Sequence, residues 1–256
     1  MQKSLSELKI AKRRLVIAHR GYRAKYPENT LVAFQAAIDA GADMIELDVL
    51  LSKDRSMVVI HDESLDRTTN GQGLVGDYTL SELKELDAGS WFDPCFTGER
   101  LPTLEEVLDL VKGKVFINIE IKRSAYEPQH PPDAVEKKIV ELVRRKNFEE
   151  SVLISSFEWR VLERLAATEQ APAIALLSGD PDEGNPLEAC RKLGAFSWHP
   201  SSFELKEEHV RNMHEAGIQV FPYHVYTSED IGRMLEMDVD GLIVDDPLLA
   251  KAYGSE

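Results

Sequence analysis

The chain has 256 residues, 43% apolar and 29% charged, a balance that supports a packed core and excludes wholesale disorder. Its formal net charge of -15 opposes nucleic acid and anionic lipid surfaces at long range, so an anionic ligand would need locally placed cations. No run reaches the roughly 20 apolar residues that span a bilayer, and the apolar stretch behind the basic N-terminus, Leu15-Val16-Ile17-Ala18, is too short for a signal peptide, so a cytoplasmic location and no stable membrane association are expected.

In chain order, β-branched runs at 15–21, 44–52, 57–62, 114–122, 151–157, 173–178, 195–200, 218–226 and 241–246 alternate with segments at helical period, the mark of βα units around a parallel sheet. Helix starts carry capping boxes at Thr79 with Glu82 and Thr103 with Glu106, and Gly41, Gly113, Gly194 and Gly217 stand where left-handed caps end helices. Leu31, Phe34 and Ile38 should line one face of an early helix, and Leu104, Val107, Leu108 and Val111 one face of a later one. Nine strands are one too many for a (β/α)8 barrel. Only Lys53-Asp54-Arg55-Ser56 separates 57–62 from the preceding strand, a hairpin spacing, so that strand is expected outside the barrel. Residues 53–103, rich in Gly, Asp and Thr with one short helical pattern near 80–86, read as an insertion. No repeat, low-complexity tract or linker argues for a second unit, and 1–256 reads as one barrel domain. The two cysteines, Cys95 and Cys190, are too few and too far apart for a disulfide framework or a zinc site and read as reduced structural thiols.

Strand alternation carries the chemistry. In Met44-Ile45-Glu46-Leu47-Asp48-Val49, the apolar Ile45, Leu47 and Val49 share one face and Glu46 and Asp48 the other. The same arithmetic at 115–122 puts three isoleucines on one side and Asn118, Glu120 and Lys122 opposite. Three carboxylates converging in one barrel would repel one another, so they should take up protons or bind a cation, and hard oxygen ligands without cysteine favour Mg2+ or Ca2+ over zinc. The alternative is that Lys122 and Arg20 neutralise Glu46, Asp48 and Glu120 as buried ion pairs. His19 and His61 end two strand candidates, where barrel enzymes carry catalytic groups, and imidazoles exchange protons near neutrality. Arg20 offers a bidentate fork and Lys122 a point charge for an anion. Of the other histidines, His209 and His214 read as helix-surface residues, His130 lacks comparable surroundings, and His199 and His224 lie at strand ends.

The ordered segments AHRGYRAKYPENTLVAFQAAIDAGADMIELDV, MVVIHDESLDRTTNGQG, LPTLEEVL, INIEIK, SSF and DGLIVDDP cover nearly the whole chain, and together they resemble the glycerophosphodiester phosphodiesterase family. The resemblance implies a TIM barrel with a small insertion after the second barrel strand. It implies that Glu46, Asp48 and Glu120 ligate one divalent cation, Mg2+ or Ca2+, that His19 and His61 are an acid/base pair, that Arg20 and Lys122 bind a phosphodiester, and that Asp62 helps to orient the site. Where many relatives carry Trp-Thr-Val-Asn, this chain reads Tyr223-His224-Val225-Tyr226-Thr227, leaving Tyr223 or Tyr226 to form an aromatic wall, with Trp198 as an additional or replacement aromatic. The implied reaction is metal-dependent hydrolysis of a small glycerophosphodiester to sn-glycerol 3-phosphate and an alcohol. Two rivals follow: a lysophospholipase D or sphingomyelinase D-like activity, which would call for an exposed apolar rim that does not stand out in the sequence, and an inert phosphate-binding barrel, which should lack a histidine or a metal carboxylate. Head-group preference and oligomeric state are not set by the sequence.

Overall fold

The computed structural model describes residues 4–5, 14–179 and 184–253. Eight strands run parallel in one sheet: β1 (Leu15–His19), β2 (Met44–Leu51), β4 (Phe116–Ile121), β5 (Val152–Ser156), β6 (Ala173–Ser178), β7 (Ser197–Pro200), β8 (Gln219–Val220) and β9 (Gly241–Val244). The hydrogen-bonded order is β8-β7-β6-β5-β4-β2-β1-β9. The two ends meet through Asp240 N–H to Val220 O (3.1 Å), Ile243 N–H to Pro222 O (3.0 Å) and a parallel bridge between Val225 and Val244, which nearly closes a TIM barrel. The ninth strand, β3 (Met57–Val59), pairs antiparallel with β2, as the hairpin spacing requires, and its other edge bridges Thr103.

Around the barrel lie α1 (Leu31–Asp39), α3 (Leu104–Val111), α4 (Val135–Lys146), α5 (Trp159–Ala166), α6 (Pro186–Leu193), α7 (Glu207–Glu215), α8 (Ser228–Glu236) and α9 (Pro247–Tyr253), while the short α2 (Leu80–Leu83) belongs to the segment after β3. Both expected capping boxes form, and a third, Thr227 with Asp230, uses the shorter acid at the same place. Gly41, Gly113, Gly194 and Gly217 all take positive φ. The four apolar residues of α3 are buried as expected, whereas α1 buries Ala33, Phe34 and Ala37, leaving Leu31 and Ile38 only half-covered.

The largest difference from the sequence expectation is β8, foreseen over 218–226 and regular only at Gln219–Val220. Pro222 has no N–H to offer the ladder, and His224 takes φ +62°, which breaks the extended path. The chain still tracks β7, through Phe221 N–H to Trp198 O (2.9 Å) and Tyr223 N–H to Pro200 O (3.0 Å).

Inward-facing residues change character along the strands. Leu15, Ile17, Met44, Phe116, Leu153, Ala175, Phe221 and Ile243 fill the end where the strands begin. Further along, Asn118, Ser155, Ser197 and His199 are buried on the same interior face as Glu46, Asp48 and Glu120, with Glu46 in register with Asn118 and Glu120 with Ser155. Ile45, Leu47, Val49, Ile117, Ile119 and Ile121 pack outward in the helix-facing core. Burial of that core, at about 25 cal/mol per Å2, is what holds the carboxylates on the interior face. No described helix is long and apolar enough to cross a membrane. Cys190 is buried, but Cys95 is exposed on a single turn, so only Cys190 fits the structural-thiol expectation.

Candidate active site

The site lies at the strand ends where β1, β2 and β4 meet, with His19 in register with Glu46 and Asp48 with Glu120. Directly after β1, Arg20 and Gly21 take φ +54° and +83° in succession. A side chain at Gly21 would bring Cβ within 2.8 Å of the Ala33 backbone carbon, so only glycine lets this turn rest on α1. The turn aims the Arg20 N–H at Glu46 Oε2 (2.9 Å) and the guanidinium Nη1 at Glu28 Oε1 (2.8 Å).

Glu46, Asp48 and Glu120 each place a carboxylate oxygen within 4.8 Å of the others, and all three are buried. Lys122 Nζ donates to Glu120 Oε1 (2.7 Å) and lies 3.2 Å from Asp48 Oδ1, while Arg20 Nε lies 3.4 Å from Asp48 Oδ2. Asn29 Nδ2 donates to the same Asp48 oxygen at 2.9 Å. The ion pairs of the alternative reading therefore exist, yet two cations face three carboxylates and Arg20 is shared with Glu28. The electrostatics follow. Burial, then the charges of Asp48 and Glu120, push Glu46 well above the usual carboxylate range. Burial also raises Glu120 despite Lys122. Asp48 is held low because Lys122, Arg20 and His61 outweigh its burial. A trio that cannot ionise fully with the protein's own cations, made only of hard oxygens, fits a divalent ion such as Mg2+ or Ca2+.

Two histidines flank the trio, each fixed through Nδ1. His19 Nδ1 meets Asp245 Oδ1 at 2.8 Å, and His61 Nδ1 meets Asp62 Oδ1 at 2.5 Å. With Nδ1–H donated to a carboxylate, Nε2 carries the lone pair that can take a proton. Burial lowers the pKa of both imidazoles from the ordinary histidine value, against the pull of Asp245 on His19 and of Asp48 and Asp62 on His61. β3 stops at Val59, but the Ile60 N–H donates to Asp48 O (3.1 Å) and keeps His61 beside β2. Asp62 is in turn held by Arg67 Nε (2.5 Å), and Arg67 reaches Glu28 at 2.8 and 3.0 Å. Glu28 thus links Arg20 to His61 by way of Arg67 and Asp62, and although burial opposes it, Arg67 and Arg20 hold its carboxyl at about 2.

The structure brings His19, Arg20, Glu46, Asp48, His61, Glu120 and Lys122 together, with Asp62 behind His61. Tyr223 stands on the opposite side of the mouth, its OH donating to Ser178 O (3.0 Å), and burial pushes its hydroxyl up to about 12. Trp198 is placed elsewhere than expected. It packs in the helix-facing core, donates Nε1 to Ser178 Oγ (2.7 Å) and lines a cavity of about 560 Å3 with Leu187, His209 and Met213. His199 lies inside the barrel against Ser197 Oγ (2.9 Å), where burial drives it down to about 3. His214 is exposed beside Asp240, but His209 is half-buried and meets the Trp198 ring edge-on. Glu28, Asn29, Arg67 and Asp245 were not singled out from the sequence, although YPENT and DGLIVDDP contain three of them. The rim is also more apolar than the sequence suggested: Phe203 is 68% and Tyr226 48% exposed.

The sequence model of the Glycerophosphoryl diester phosphodiesterase family matches residues 19–249. A glycerophosphodiester phosphodiesterase of Caldanaerobacter subterraneus subsp. tengcongensis is 45% identical over 234 residues, which is 91% of this chain and 94% of that protein. Among solved structures, an Oleispira antarctica phosphodiesterase in complex with the product sn-glycerol-3-phosphate superposes with TM-score 0.86 at 27% identity, covering 95% of this chain and 98% of that one. A Thermotoga maritima glycerophosphodiester phosphodiesterase superposes with TM-score 0.75 at 32% identity, covering 94% and 98%. The chain belongs to the glycerophosphoryl diester phosphodiesterase family, and its barrel is that of a phosphoric diester hydrolase.

Proposed function

We propose that this chain, as a single barrel domain, hydrolyses small glycerophosphodiesters to sn-glycerol 3-phosphate and an alcohol. The observation that carries the reading is the convergence of three buried carboxylates with two carboxylate-fixed histidines and two cations in one barrel mouth. The product bound to the Oleispira neighbour supports the substrate class.

Glu46, Asp48 and Glu120 would hold one divalent cation, Mg2+ or Ca2+. Such an ion supplies positive charge that offsets the phosphodiester and the charge growing on it in the transition state. Arg20 presents donors to the phosphate oxygens on one side, and Lys122 adds a point charge on the other. One histidine takes the proton from the attacking hydroxyl, whether water or the neighbouring glycerol hydroxyl, as oxygen bonds to phosphorus. The other, entering protonated at both ring nitrogens, gives its Nε2 proton to the leaving alkoxide as the bond to phosphorus breaks. Asp245 and Asp62 hold both rings through Nδ1, so that Nε2 is the proton-carrying nitrogen in base and acid alike, and Tyr223 lines the substrate.

The test is incubation of the protein with glycerophosphocholine, glycerophosphoethanolamine, glycerophosphoglycerol and lysolipids, with products identified by 31P NMR. Release of sn-glycerol 3-phosphate from the small diesters is expected, and inactivity on the whole panel would sink the reading.

A further inference from the structure

The barrel mouth has two unlike halves. The β1, β2 and β4 side is charged, whereas the other side carries a continuous aromatic strip. Phe157 after β5 meets Tyr223 edge-on (5.9 Å), and Tyr223 meets His224 edge-on (4.5 Å). His224 then lies between Phe203 (5.5 Å, 34°) and Tyr226 (5.8 Å, 39°) in a tilted stack of three rings. The stack borders the charged half: the charges of Asp245 and Arg20 act on both His224 and Tyr226.

The ledge is built rather than incidental. Ser202 Oγ donates to His224 O (2.9 Å), Ser202 N–H to Tyr223 O (3.0 Å), and Arg233 Nη1 to Ser202 O (2.7 Å). These bonds fix the φ +62° turn at His224 that holds its ring between the other two. Nevertheless Phe203 and Tyr226 leave most or half of their surface to solvent, which a folding role does not explain.

Elsewhere in the molecule, Tyr22, Tyr126 and Phe148 each carry a lysine or arginine over the ring, and at the near end of the strip Arg123 lies over Phe157. Among the described residues no cation covers Phe203, His224 or Tyr226. Beside them, Glu204 is exposed without an ion-pair partner among the described residues, close enough to act on Tyr223. Open aromatic faces next to an unpaired carboxylate attract a cation. A quaternary ammonium suits them better than a primary one, because it cannot hydrogen-bond and spreads its charge over methyl groups that pack on rings. A phosphodiester has two alcohol arms, so one held in the charged half leaves the other free to reach this ledge.

We propose that the Phe203–His224–Tyr226 stack is the subsite for the leaving alcohol and selects one that carries a quaternary ammonium. The proposal rests on the hydrolase reading above and specifies its substrate. The test compares kcat/KM for glycerophosphocholine and glycerophosphoglycerol in the wild type, Phe203→Ala, Tyr226→Ala and Phe203→Trp. The choline-over-glycerol ratio should fall roughly tenfold in each alanine variant and survive in Phe203→Trp. A ratio that stays put, whether both rates fall or neither moves, overturns the subsite. Choline binding followed by saturation-transfer NMR needs no turnover. Binding to the wild type that disappears in the double alanine variant supports the ledge, and absence of binding to the wild type overturns it. Loss of phosphatidylcholine-vesicle binding in that variant, with the ester ratio unmoved, would make the stack a membrane contact and overturn the proposal. No turnover of any ester overturns both readings, whereas turnover with an unmoved ratio overturns this one alone.

Discussion

A histidine with a carboxylate on Nδ1 has one nitrogen left for proton transfer, and both His19 and His61 are in that state. Replacing the carboxylate with an amide keeps the shape but removes the preference for the productive tautomer. Asp62→Asn and Asp245→Asn should therefore lower kcat by roughly tenfold to a hundredfold while KM changes little. Steady-state kinetics with a full pH profile checks this, and an unchanged kcat in both variants would count against histidine proton transfer. Glu28 makes a different prediction. Its folded value of about 2 lies below the ordinary 4.5, so its contribution to stability is complete above pH 4.5 and is lost as pH falls toward 2. The effect is on the order of 3 kcal/mol, since the group is buried with Arg20 and Arg67. Denaturant melts between pH 6 and pH 3 should show a shallower acid dependence for Glu28→Gln than for the wild type. At this scale the trio and Lys122 were readable because period-two alternation assigns a side to every strand residue, while Arg20 was readable from its place directly after the first strand. Glu28, Asn29, Arg67 and Asp245 were not, since each acts through a partner on another segment and their loops obey no period.

The elements place these residues. Gly21 is the tightest constraint, with its positive φ and its approach to α1. Gly21→Ala should cost roughly 2 kcal/mol or more and depress activity with it, because the Arg20 N–H would lose its aim at Glu46. Thermal melts beside activity assays test this, and a variant of normal stability and activity would show that the turn tolerates a side chain. Strands with uninterrupted β-branched runs, such as β4 and β6, were legible to within two residues, whereas the hairpin strand β3 was legible in its start and pairing but ends at Val59 rather than at 62. β8 was not. Its composition is that of a strand, but Pro222 and the turn at His224 spend most of it in irregular pairing with β7 and β9. That irregularity is what presents Tyr223, His224 and Tyr226 at the rim, where alternation alone would have sent neighbours to opposite faces.

Across the whole molecule, the barrel divides its labour by depth and by side. Apolar residues fill the end where strands begin, charged groups gather where β1, β2 and β4 finish, and aromatic rings line the facing rim. Strand order was legible from the βα alternation and the surplus hairpin strand, whereas the division of the mouth depends on loops whose meeting no local pattern records. The central claim is that the acidic trio serves a divalent ion in phosphodiester hydrolysis. Its most direct test strips the protein with chelator and back-titrates Mg2+ or Ca2+ while glycerophosphodiester turnover is followed, with Asp48→Asn alongside and its folding checked by circular dichroism. Turnover should vanish on chelation, return with the ion, and stay at least about a hundredfold lower in folded Asp48→Asn. Full turnover in chelator, or by Asp48→Asn, would contradict it.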